Sequence, residues 1–147
     1  MSGLMDDFRK KFKIAELIIY ETDKWIWSLR PVQATLGAGI LSLKRECSTF
    51  GELTPEEFTD MGKIVQVIEK TLKGLFGYDI MNYLMLMMLD KQVHYHVIPR
   101  YGQDIEFLEK KWKDLGWPGI PTLVADDIEF DVLNQLACTI RKHLEVN

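Results

Sequence analysis

The stretch "QVHYHVIPR", residues 92–100, holds two of the three histidines in the chain. Side chains alternate faces along a strand, so Gln92, His94, His96 and Ile98 share one face and Val93, Tyr95 and Val97 the other. The apolar set would anchor the strand to a core while the polar set is presented together. Residues two apart on one face lie about 6.5–7 Å apart at Cα, so two imidazoles can converge on one small anion such as a phosphate. Four readings compete for such a pair. The blandest is two histidines on a half-solvated strand. A metal site is poorly supplied: tetrahedral zinc takes three or four ligands, Asp90 sits in a turn, no cysteine is near, and His143 is remote in sequence. General acid–base work suits an imidazole, whose ordinary pKa is about 6.5. So does nucleophilic attack on phosphorus, with a neighbouring side chain donating to the developing charge.

Whatever the chemistry, a fold must carry that strand. The chain has 147 residues, 47% apolar and 27% charged, a composition expected of one globular domain spanning 1–147. A net charge of -4 argues against a nucleic-acid polymer as partner, which asks for a basic patch. A small nucleotide needs only one anion site and stays compatible. Cys47 and Cys138 lack metal-type spacing and read as reduced thiols of a cytoplasmic protein. The start "MSGLMDDFRKKF" has no signal-peptide core, and the longest apolar run, "YLMLMML" (83–89), is too short to span a bilayer. No membrane partner is expected.

The elements follow from periodicity. "DDFRKKF" places Phe8 and Phe12 four apart on one side of a short helix. "ELIIYETD" (16–23) and "KWIWSLRP" (24–31) read as strands, the second alternating Trp25, Trp27 and Leu29 with Ile26, Ser28 and Arg30. "VQATLGAG" is a loop into a third strand, "GILSLKR" (39–45). A long helix starts at Thr54, with Pro55 at its first position and Glu57 completing a capping box. Its expected buried stripe is Phe58, Met61, Val65, Ile68, Leu72 and Leu75, with stop signals at Gly74 and Gly77. "IMNYLMLMML" (80–89) reads as a strand covered on both faces, joined to the histidine strand by a tight "DK" hairpin. Residues 112–123 are irregular and proline-broken. A last helix from about Asp127 puts Phe130, Leu133, Ala137, Ile140 and Leu144 on one side. The sum is an α+β fold: an antiparallel sheet of about five strands, a long helix and a C-terminal helix.

"QVHYHVIPR" also resembles the signature of the histidine triad superfamily, in which three histidines alternate with hydrophobic residues and "PR" often follows. "IYETDKWIWSLRP" is similar to that family's early strand pair and "ELTPEEFTDMGKIVQVIEKTL" to its helix. The motif-bearing core thus runs over about 14–101, with an extension and helix over 102–147. "RPVQATLGA" and "NYLMLMM" resemble a bacterial subgroup of diadenosine tetraphosphate hydrolase-like members. The resemblance implies a nucleotide hydrolase or transferase acting at the α-phosphate of a dinucleoside polyphosphate or nucleoside phosphoramidate. His94 would be the nucleophile that carries the nucleotidyl group, and His96 would bind a non-bridging phosphate oxygen. Gln92, standing where the family has its first histidine, would sit near the phosphate or leaving group. No metal or other cofactor is implied, and the partners are a nucleotide and a second copy in a homodimer.

Three positions depart from that pattern. Gln92 can donate and accept hydrogen bonds but cannot shuttle a proton near neutral pH. The glycine-rich loop that precedes the motif is reduced to "LDK" (89–91), and "GA" (37 and 38) stands in place of Gly-His. Gln92 and the reduced loop motivate the alternative of a catalytically weak or inactive nucleotide-binding module. Arg100 is a candidate phosphate-steering residue that reads equally as a surface cation. Ser28 is near the expected ribose contact or is a half-exposed strand serine. Trp25 and Trp27 read as core, and His143 as a solvated residue at a helix C-terminus.

Overall fold

The computed structural model describes residues 3–146. In chain order the elements are α1 (Leu4–Lys11), a single helical turn α2 (Ile14–Leu17), β1 (Ile18–Glu21), β2 (Trp25–Leu29), β3 (Gly39–Leu43), α3 (Pro55–Phe76), β4 (Ile80–Leu84), β5 (His94–Arg100), β6 (Ile105–Phe107), β7 (Lys110–Trp112) and α4 (Phe130–Val146). Five strands form one antiparallel sheet in the order β1-β2-β3-β5-β4, and β6 and β7 make a separate hairpin. The α+β architecture expected from periodicity is the one observed. The hairpin was not expected; its three-residue strands and left-handed turn at Leu108 and Glu109 leave little periodic signal.

Helix α3 begins as its sequence dictates. Thr54 accepts a hydrogen bond from the Glu57 N–H, and the Glu57 carboxylate accepts one from the Thr54 N–H. It ends at Gly77, whose φ of 64° is the left-handed C-cap that glycine adopts without strain. The expected stripe holds at Ile68 and Leu72, with Met61, Val65 and Leu75 partly buried beside them, and is corrected at its start, where Phe58 faces outward. The buried stripe runs through Glu57, Asp60, Ile64, Ile68, Thr71, Leu72 and Phe76, while Phe58 is 41% exposed. Counting only apolar residues hides the start of this stripe, because its first two members are polar and satisfied by the sheet. Glu57 pairs with Arg45, and Asp60 accepts from the Thr22 hydroxyl and the Lys24 N–H.

One sheet face packs on α3 and α4. Trp25, Trp27, Leu41, Leu43, Val93 and Val97 meet Ile64, Ile68 and Leu72 there, with Leu133, Leu136 and Ile140 from α4. Arg141 fastens α4 to the first strand by donating to the carbonyl oxygens of Ile18 and Glu16. His143, expected to be solvated, is half-buried against α3. A Cβ at Gly74 would lie 2.9 Å from its Nε2, so Gly74 admits the ring rather than ending the helix. The other sheet face is covered by α1 and its C-cap Phe12; Phe8 and Phe12 pack with Ile14, Ile26 and Ile40.

The expectation for 80–89 is also corrected. Only Ile80–Leu84 is a strand, and it lies at the sheet edge with one paired side. Met87 adopts a φ of 50°, which ends the extended run, and Met88 and Leu89 are 78% and 86% exposed. An irregular loop, not a two-residue hairpin, therefore leads to β5.

Candidate active site

Strand β5 delivers His94 and His96 to the face under α1, while Val93 and Val97 enter the opposite core. Cross-strand register builds the floor. Ser42 is opposite His94 and Ile40 opposite His96, with Ile26 and Ser28 next in the same rows on β2. The roof is aromatic. The Phe8 ring centroid is 4.9 Å from that of His94, and Phe12 lies 5.9 Å from His94 and 6.3 Å from His96. The two imidazoles are 5.1 Å apart and nearly perpendicular, at 75°. Only 2% of His94 and 8% of His96 remain accessible. Both line a cleft of about 290 Å³ shared with Lys11, Phe12, Arg30, Val32 and the loop 86–90. A larger hollow of about 540 Å³, walled by Asp6, Arg9, Glu16, Glu21 and Lys44, contains neither histidine, and its mixed charges offer no converging chemistry.

Hydrogen bonding sets the tautomers. The Nδ1 of His94 is 2.6 Å from the Gln92 carbonyl oxygen. A carbonyl only accepts, so Nδ1 carries the proton and Nε2 keeps its lone pair. His96 is the reverse. Its Nδ1 receives the Arg30 Nε–H at 3.2 Å, which leaves Nε2–H as a donor in the neutral ring. Both rings are held neutral near pH 7. Burial pulls the His94 pKa below its ordinary value, partly offset by the Gln92 carbonyl. Burial, then the Arg30 and His94 charges, pull His96 down to about 4. A nucleophilic nitrogen and a hydrogen-bond donor thus stand on neighbouring rings, the combination that attack on an electrophilic phosphorus calls for.

Two residues expected at the site have other partners. Gln92 precedes β5 and is fully buried. Its side-chain oxygen accepts from the Cys47 N–H, and its amide donates to the carbonyl oxygens of Leu43 and Arg45. The alternation that put it beside His94 requires an extended strand, and the chain bends at that point. Gln92 therefore braces the segment after β3, does not line the cleft, and orients His94 through its backbone carbonyl. Arg100 is four residues beyond His96 and buried, with Nε and Nη2 on the Asp114 carboxylate at 2.7 and 3.2 Å. Its Nη1 donates to Asn82 at 2.8 Å. All three nitrogens are engaged, and Arg100 ties β5 to Asp114 of the C-terminal extension and to Asn82 of β4. Ser28 is fully buried, not half-exposed.

The residue that sequence reasoning passed over is Arg30. It follows β2 on the Ile26/Ser28 face, and that alternation was the available signal. Besides His96, it donates through Nη1 to the carbonyl oxygens of Val32 (2.9 Å) and Leu123 (2.8 Å). Among the described residues no group of three or more His, Cys, Asp or Glu is placed to hold a metal ion, and no helix is long and apolar enough to cross a membrane.

Comparison with known proteins bears on the fold that carries this site. Residues 11–103 match the HIT domain. No curated protein sequence matches the chain. Among solved structures, a histidine triad protein from Marinobacter aquaeolei VT8 superposes with a TM-score of 0.71 at 19% identity, over 93% of this chain and 94% of that one. A hypothetical histidine triad nucleotide-binding protein from Sulfolobus tokodaii strain 7 gives 0.68 at 18% identity, covering 88% and 84%. The diadenosine triphosphate hydrolase of Plasmodium falciparum gives 0.68 at 13% identity, covering 90% and 78%. At such identities the shared property is the fold.

Proposed function

The chain belongs to the HIT domain family, and from that premise we propose that it is a nucleotide hydrolase or transferase working through a covalent His94 intermediate. The observation that carries this reading is the pair of opposed tautomers, with an unprotonated His94 Nε2 beside a His96 Nε2–H in a cleft bordered by Arg30 and Lys11. The His94 lone pair forms a bond to the α-phosphorus, and the bond from phosphorus to the leaving group breaks with its electron pair, a phosphate departing as its anion and an amine only after taking a proton from solvent. The His96 Nε2–H donates to a non-bridging oxygen as negative charge gathers there. Water then attacks the same phosphorus and gives up a proton to bulk solvent, the P–N bond returns its electrons to His94, and the nucleoside monophosphate is released. Gln92 takes no part in proton transfer. A leaving group already carrying its charge on phosphate, as in a dinucleoside polyphosphate, needs no acid from that position. A diadenosine polyphosphate is accordingly the substrate class to try first, with adenosine phosphoramidate second.

The test is incubation with each substrate followed by intact-mass measurement. A mass gain of one adenylyl group on the native protein, and none on His94→Ala, is the expected result. Neither turnover nor adduct on native protein, with undiminished nucleotide binding by His94→Ala, would favour the second reading: a nucleotide-binding module without turnover. The near-complete burial of His94 beneath Phe8 and Phe12 is the observation in favour of that alternative.

We further propose that the protein works as a homodimer in the cytoplasm. The unpaired outer edge of β4, with Ile80 exposed beside it, supports pairing. Light scattering during size exclusion reads the oligomeric state directly.

A further inference from the structure

Arg30 is a buried cation without a counter-ion. Its guanidinium forms no ion pair among the described residues; its partners are two carbonyl oxygens and a neutral imidazole nitrogen. The carboxylate that lines the same cleft, Asp90, is taken by Lys11 at 2.7 Å. Those two charges cancel, both histidines are neutral, and one positive charge remains in the cleft. Removing a charge from water without pairing it is expensive, and such an arrangement is completed by an incoming anion. Nη2 has no partner among the described residues and is left for one. Arginine suits the task, since its planar fork grips phosphate oxygens while staying charged.

We propose that Arg30 is both the phosphate-binding cation of this site and the positioning residue that fixes His96 as an Nε2–H donor. The two carbonyls on Nη1 hold the fork in place without neutralising it. One of them, Leu123, belongs to the C-terminal extension, so that segment takes part in orienting the site. The role also explains how a site with Gln92 turned away can still hold an anion. The nucleotide identity of that anion rests on the function proposed above; the charge and tautomer assignments do not.

The experiment compares native protein with Arg30→Gln and Arg30→Lys, using adenosine monophosphate as the probe and ¹⁵N NMR of the His96 ring as the second readout. Native protein is expected to bind the probe and to show one His96 tautomer, protonated at Nε2. Arg30→Gln should weaken binding at least about tenfold, whereas Arg30→Lys, which keeps the charge, should stay within about threefold while losing the single tautomer. If Arg30→Gln does not fold, the lysine variant carries the test through its tautomer. The proposal is overturned if native protein binds no adenosine monophosphate, if Arg30→Gln binds it within about threefold of native, or if His96 keeps one tautomer in the variants. Arg30-dependent binding without any adduct would instead sink the hydrolase reading and leave Arg30 in place.

Discussion

His96 couples the site to stability through protons. Its pKa is held at about 4 in the folded protein, against about 6.5 in an unfolded chain. Between those values the unfolded state binds more protons, so stability rises with pH across the window and is lost as pH falls through it. The slope from one such group reaches about 1.4 kcal/mol per pH unit; His94 acts in the same direction. Glu57, held at about 2 by its Arg45 hydrogen bond, adds its own loss only below the ordinary carboxylate range. Urea midpoints measured from pH 4.5 to 7 should therefore climb for native protein and climb less steeply for His96→Asn, in which His94 still contributes. A native curve that is level over this range would contradict a buried neutral His96. A second residue-level expectation concerns Arg100. Asp114→Ala leaves its guanidinium buried without a counter-ion, which typically costs about 3–5 kcal/mol. Denaturant titration should read that loss, with bidentate pairing as the cause.

At the scale of elements, α3 and α1 differ in what holds them. Helix α3 is specified locally by its capping box, so Thr54→Ala should cost about 1 kcal/mol in urea unfolding and leave nucleotide affinity unchanged. Helix α1 spans eight residues and is held by packing, with Phe8 and Phe12 on the histidine face. Phe8→Ala should loosen it, speeding hydrogen exchange over 4–11 and the modification of His94 by diethyl pyrocarbonate. Unchanged exchange in that variant would mean that α1 is anchored by something other than its phenylalanines. The element most misjudged in advance was the run 80–89. Its apolar character is real, but strand length there is decided by partners, and β4 has only β5.

On the whole-molecule scale, the motif-bearing core over 14–101 keeps α3 but omits the cover of one sheet face and half of the cover of the other. It lacks Phe8 and Phe12 on one face, Leu133, Leu136 and Ile140 on the other, and the Asp114 carboxylate that neutralises Arg100. A fragment of those residues should therefore show no cooperative thermal transition by circular dichroism, while the full chain melts in one. Local signals sufficed for much of the architecture: alternation in "KWIWSLRP" for β2, the Thr54/Pro55/Glu57 cap for α3, and the spacing of His94 and His96 for a two-imidazole face. These are readable because a strand's period of two and a helix's capping geometry involve residues adjacent in the chain. The rest depended on groups brought together from afar. Arg30 meets His96 across 66 positions and Leu123 across 93; Gln92 finds Cys47, and Arg100 finds Asp114, only once the sheet has formed. By itself the sequence determined that His94 and His96 share a strand face. Tertiary structure alone decided that both reach the cleft and which tautomer each presents, because hydrogen-bond partners and burial are set by packing rather than by spacing.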